Sequence, residues 1–121
     1  MSADEIAGAF AQHYYGTLDS NIAGLGALYR DASMLTFEGQ QFMGGTNISQ
    51  KMAGLGKLVH NVQRFDVQPS LDPSNLIIAV VGQVKLDGQE NPLHFSEFFQ
   101  LVASSPGQYY IHNQIFRLNY A

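Results

Sequence analysis

Three stretches decide the fold: Leu76-Ile-Ile-Ala-Val-Val-Gly-Gln-Val-Lys-Leu-Asp87, Leu93-His-Phe-Ser-Glu-Phe-Phe-Gln-Leu-Val-Ala103 and Tyr109-Tyr-Ile-His-Asn-Gln-Ile-Phe-Arg-Leu-Asn119. Each is rich in β-branched and aromatic residues, and the gaps between them, Gly88 to Pro92 and Ser104 to Gly107, carry turn chemistry. A fourth such run covers 58 to 67 and is set off by Pro69 to Asn75. Long strands joined by short turns predict antiparallel neighbours. A hairpin about Pro106 would set His94 opposite Leu118 and His112 opposite Gln100.

Upstream the period changes to that of a helix. Ser2 with Glu5 three residues on is a capping box, and Ile6, Phe10, Tyr14 and Leu18 recur at helical spacing, predicting a helix from about 3 to 18. Ile22, Leu25, Leu28 and Tyr29 predict a shorter second helix, and Asp31 to Glu38 a strand ended by Gly39. Thr46 reads as the N-cap of a third helix carrying Ile48, Met52 and Leu55, with Gly54 and Gly56 to stop it. Helices first and adjacent strands after give an α+β domain with an antiparallel sheet.

Both faces of the last strands are apolar. On the final one, Tyr110, Phe116 and Leu118 are expected to point one way and Tyr109, Ile111 and Ile115 the other, a pattern that a half-solvated sheet would not carry. One face can pack on the helices. The other needs a different cover, and in so short a chain that cover is a second copy of the protein.

The 121 residues allow one domain, 1–121. Six Lys and Arg against ten Asp and Glu leave a net charge of −4 with no basic run, which argues against nucleic acid as a partner. No cysteine is present, so disulfides, thiolate nucleophiles and thiolate-ligated metals are excluded. A hydrophobic content of 45% with 13% charge excludes disorder. The longest apolar run, Leu76 to Val81, is far below the roughly 20 residues that span a bilayer. The two acids in Met-Ser-Ala-Asp-Glu do not suit a signal peptide. A soluble intracellular domain without a membrane anchor is expected. His13, His60, His94 and His112 lack metal-ligand spacing, Gly24-Leu-Gly26 follows a helix rather than a strand, and no Gly-x-Ser-x-Gly occurs. No cofactor and no metal are therefore expected.

The acids say more. Glu38 closes the first strand, and Asp87 and Glu90 occupy the turn between two long ones. If the sheet curls around the helices, those strand ends surround the mouth of the space between them, with Phe37, Val84, Leu86, Leu93, Phe116 and Leu118 lining it. An apolar hole with an acidic lip suits an apolar side chain flanked by Lys or Arg.

His13-Tyr-Tyr, the stretch Leu25-Gly-Ala-Leu-Tyr-Arg-Asp-Ala-Ser-Met-Leu-Thr-Phe-Glu-Gly-Gln-Gln-Phe42, Val81-Gly-Gln and Ile115-Phe-Arg-Leu-Asn-Tyr120 resemble the eukaryotic nuclear transport factor 2 family over essentially the whole chain. The resemblance implies a cone-shaped, cystatin-like roll: a curved antiparallel sheet wrapped over N-terminal helices, homodimeric through the sheet face. It also implies a carrier that brings Ran in its GDP form into the nucleus past phenylalanine-glycine nucleoporins, found in cytoplasm, nucleus and the nuclear pore. In that family a phenylalanine of Ran enters the apolar cavity while basic Ran residues pair with rim acids. Carried over by position, those acids are Glu38, Asp87 and Glu90, the last in a turn of different length, and the dimer interface falls on Ala79, Phe98 and Ile115. Ala3 stands where family members have an aromatic that helps hold nucleoporin repeats, and where the family has Leu-Pro-Phe-Gln this chain has Leu55-Gly-Lys-Leu58, in a connection two residues shorter and lacking the Phe. The same superfamily contains isomerases and dehydratases, for which Glu38 would be the general base and Tyr14 or Tyr15 an oxyanion donor. It also contains messenger-RNA export adaptors that heterodimerise.

Overall fold

A computed structural model describes residues 2–119. Helix α1 (Ala3–Ser20) is followed by a 3-10 segment (Ile22–Leu28), β1 (Tyr29–Phe37), β2 (Gln40–Met43), α2 (Gly45–Ala53), β3 (Val59–Pro69), β4 (Leu76–Lys85), β5 (Leu93–Ser105) and β6 (Gln108–Asn119). The strands form one open, curved sheet in the order β2-β1-β6-β5-β4-β3. Its neighbours are antiparallel except β1 and β6, which run parallel, a pairing that the antiparallel expectation lacked. The capping box at Ser2 is formed, each partner accepting the other's backbone N–H. Helix α1 buries Ala7, Ala11, Tyr14, Tyr15 and Leu18 against the sheet, with the Tyr14 ring edge-on to Phe99 of β5 at 4.9 Å.

Four local expectations are corrected. The short second helix is a 3-10 segment, and Tyr29 already belongs to β1. Strand β2 was not expected, because four residues carry too little periodicity to be read. It forms because Glu38 and Gly39 both have positive φ, 49° and 85°, the two-residue turn whose twist matches a hairpin. Helix α2 is capped by Gly44, not Thr46, and no side chain caps it. Finally, the β5–β6 register is one residue from the expected one, with His94 opposite Asn119, Phe95 opposite Leu118 and Gln100 opposite Asn113.

That last correction has a structural cause. Between the pairs Gln100/Asn113 and Leu101/Ile111 the ladder shifts, leaving His112 as an extra residue on β6. Such a bulge reverses the alternation of faces beyond it. Ile111 is therefore buried on the same side as Gln114 and Phe116, not outside with Ile115 as the simple period-two pattern predicts.

Candidate functional site

At one end of the sheet, Phe37, Val84, Leu86, Phe116 and Leu118 close around a cavity of about 90 Å³ with Leu18 of α1, Met52, Leu55 and Leu58 from in and after α2, and the side chains of His60 and Glu97. Five of the six apolar residues expected there are present. Leu93 pairs with Val84 on the same sheet face but does not reach the lining. The walls are stiffened by aromatic stacking: Phe37 lies on Phe116 at 4.6 Å with 6° between planes, and Phe95 stacks on the other side of Phe116 at 5.6 Å.

The three expected rim acids behave differently. Glu38 is partly buried, its carboxylate accepting the backbone N–H of Leu118 and lying 4.0 Å from Arg117. It therefore fastens the end of β6 as well as carrying charge. Asp87 is exposed and directly follows the lining residue Leu86, in a shallow groove shared with Lys57 and Lys85. It abuts Gly56, whose φ of +78° favours glycine in the loop after α2. Glu90 is exposed in the same turn and makes no side-chain hydrogen bond within the described residues. Cations stand among these acids: Lys51 Nζ lies 5.0 Å from the centre of the Phe37 ring, at the cavity wall.

Sequence reasoning missed the polar floor. Glu97 is only 4% exposed. Tyr15 OH donates to its Oε1 at 2.8 Å and Gln114 Nε2 to its Oε2 at 2.6 Å. Gln114 also donates to Tyr14 OH at 2.6 Å and accepts from Tyr29 OH at 2.6 Å. Burial pushes Glu97 up from 4.5 to about 7, against the opposing pull of the bonds from Gln114 and Tyr15. Burial also keeps Tyr14 and Tyr15 neutral, with their phenols held well above the usual range. The signal was in the sequence: Phe95, Glu97, Phe99 and Leu101 share one face of β5, so an acid stands in phase with core residues. Beside it His60 is held by Asp19, whose carboxylate accepts both the His60 backbone N–H and its ring Nδ1–H, each at 2.7 Å. Desolvation lowers the His60 pKa, and the Asp19 bond opposes that only in part.

On the opposite sheet face the three expected interface residues fall in one row. Ala79 pairs with Phe98 and Phe98 with Ile115, which continues to Thr36 of β1. Phe98 is 37% and Ile115 47% exposed, and Val81 and Met34 are exposed on the same face.

Comparison with known proteins decides the family. The model of the Nuclear transport factor 2 (NTF2) domain matches residues 6–118. The chain belongs to the nuclear transport factor 2 family. Nuclear transport factor 2B of Arabidopsis thaliana is 43% identical over 123 residues, spanning 100% of this chain and 98% of that protein. Nuclear transport factor 2 of Oryza sativa subsp. japonica is 43% identical over 122 residues, 99% of each. Among solved structures, that of nuclear transport factor 2 from Cryptosporidium parvum superposes with a TM-score of 0.88 at 40% identity, covering 97% of this chain and 94% of that one. The nuclear transport factor 2 fold thus accounts for the curved sheet, the N-terminal helices and the cavity between them.

Proposed function

We propose that this protein binds Ran in its GDP form, taking an aromatic side chain of Ran into the cavity between Phe37, Val84, Leu86, Phe116 and Leu118. Leu93 supports the wall beside Val84, and Glu38, Asp87 and Glu90 meet basic residues around the entering ring. The protein's family role is that of a nuclear transport carrier, not an enzyme. The observation that carries the Ran reading is the cavity itself: an apolar opening at the strand ends with Glu38 and the Asp87 turn beside its lining residues. Buried aromatic anchors ringed by charge pairs are how compact interfaces concentrate affinity. Among the described residues no helix is long and apolar enough to cross a membrane, which fits a carrier moving between cytoplasm and nucleus.

The working form is a homodimer joined through Ala79, Phe98 and Ile115. The pore step uses phenylalanine-glycine nucleoporins. Ala3, packed partly against the core at the start of α1, offers them less apolar surface than an aromatic would. Immobilised protein should retain Ran loaded with GDP and not Ran loaded with a GTP analogue. Equal retention of both, or of neither, would overturn the assignment.

A further inference from the structure

The cavity is apolar along its walls and polar only where His60 and Glu97 border it. The His60 side chain is 3% exposed and tightly placed, tethered through Nδ1 to Asp19, 4.8 Å from the Tyr15 ring and edge-on to Phe95 at 5.6 Å. Because the Asp19 carboxylate can only accept, Nδ1 carries the proton. Burial disfavours a second one, so Nε2 is a bare acceptor. It has no hydrogen-bond partner among the described residues, and no polar side-chain atom there is both sealed from solvent and unsatisfied. Nε2 is therefore an open acceptor on a side chain that borders the cavity.

The neighbouring donors are already committed. The Tyr15 hydroxyl is spent on Glu97, and the two N–H bonds of Gln114 on Tyr14 and Glu97. A ligand carboxylate would find no free amide or tyrosine donor at this end and would lie against the buried Glu97 carboxyl, and a fully hydrated cation would have to shed its water against apolar walls. What fits is a neutral group that brings its own donor. At about 90 Å³ the space is smaller than the roughly 150 Å³ that encloses benzene in an engineered cavity. The occupant is thus a single ring with one edge left in the open mouth.

We propose that the cavity is a binding site for a neutral single-ring hydrogen-bond donor of the phenol class, its ring among Leu18, Met52, Leu58 and Val84 and its hydroxyl donating to His60 Nε2. The site is the cavity of the proposed carrier function, and the inference rests on that cavity admitting a ring, not on the ring belonging to Ran.

The sign of one comparison tests it. In a purely apolar cavity benzene outcompetes phenol, since the hydroxyl loses water and gains nothing. With an open acceptor the order reverses. Full-length protein labelled with 15N-histidine is titrated with phenol and, in parallel, with benzene. Phenol is expected to bind at least tenfold more tightly and to move the His60 Nε2 resonance toward that of a hydrogen-bonded acceptor, while benzene leaves that resonance in place. His60→Phe should bring the two affinities together. Benzene binding as tightly as phenol to the wild-type protein, or phenol leaving Nε2 unmoved, would overturn the inference without any variant having to fold. Phenol binding in this way by a protein that fails to retain Ran-GDP would support the site and count against the Ran assignment alone.

Discussion

The two faces of β5 and β6 invert the usual distribution of polarity. Facing the helices, Glu97 and Gln114 are buried; on the other side their chain neighbours Phe98 and Ile115 stand exposed. The inner polar groups are matched bond for bond, Gln114 alone joining Tyr14, Tyr29 and Glu97. The outer apolar groups form a row across the sheet at Ala79, Phe98 and Ile115. The inner polar groups find their partners within one chain, while the outer row leaves large apolar side chains exposed. Buried polar groups that are fully satisfied specify a single packing, whereas an exposed apolar row calls for a partner surface.

The largest expected effect breaks the outer face. Ile115→Glu should abolish the proposed dimer, because a carboxylate forced into a dry interface without a partner would cost on the order of 3 to 5 kcal/mol. Since Ile115 is 47% exposed in the single chain, far-UV circular dichroism should stay unchanged while sedimentation falls to the monomer mass. A wild-type protein that is itself monomeric at micromolar concentration would remove the reason for the apolar row.

The inner face gives the next effect, through Glu97. Its carboxyl titrates at about 7 in the fold against 4.5 in the open chain. Below pH 4.5 it is neutral in both states and contributes no pH dependence. As pH rises from there to about 7, the unfolded chain ionises while the fold must stay protonated or pay for a buried charge, so stability falls. At about 1.4 kcal/mol per unit, the total loss approaches roughly 3 kcal/mol. His60 works the other way, its contribution being lost as pH drops below the ordinary value of 6.5. That contribution is shared by the wild type and Glu97→Gln and drops out of their difference. Urea unfolding at pH 5 and pH 8 should therefore show the wild type losing stability relative to Glu97→Gln as pH rises. A constant difference would mean that Glu97 is not desolvated as described.

The smallest effect concerns the pore. Ala3→Trp supplies a large apolar contact at the start of α1, and should strengthen binding to a phenylalanine-glycine repeat peptide by about 1 kcal/mol. Unchanged affinity by titration would place repeat binding elsewhere on the molecule.

The same two faces explain what could be read from the sequence. Strong periodicity located α1 and the four long strands, and the residues at the strand ends, Phe37, Val84, Leu86, Phe116 and Leu118, do line the cavity. The reading failed where a single residue shifts phase. The bulge at His112 moves Ile111 to the inside, and nothing in a period-two pattern announces it. Strand β2 depends on positive φ at Glu38, a residue type not usual in that turn. Glu97 was passed over because acids are taken to face water, although its phase with Phe95 and Phe99 put it inside. Glu38 was read as a rim charge alone, whereas its bond to Leu118 N–H gives it a second, structural task. Its removal should therefore cost stability as well, about 1 kcal/mol for one such bond.

The most direct test of the account is a calorimetric titration of Ran-GDP into the wild-type protein and into Glu38→Lys, with the mass of each measured alongside. Reversing this charge beside the cavity removes an attraction worth roughly 2 to 5 kcal/mol for a desolvated pair. At about 1.4 kcal/mol per tenfold, that is a loss of at least about thirtyfold. The account predicts a saturable wild-type isotherm, no measurable heat for Glu38→Lys at the same concentrations, and the same dimer mass for both. Binding of Ran-GDP by Glu38→Lys with wild-type affinity would contradict it.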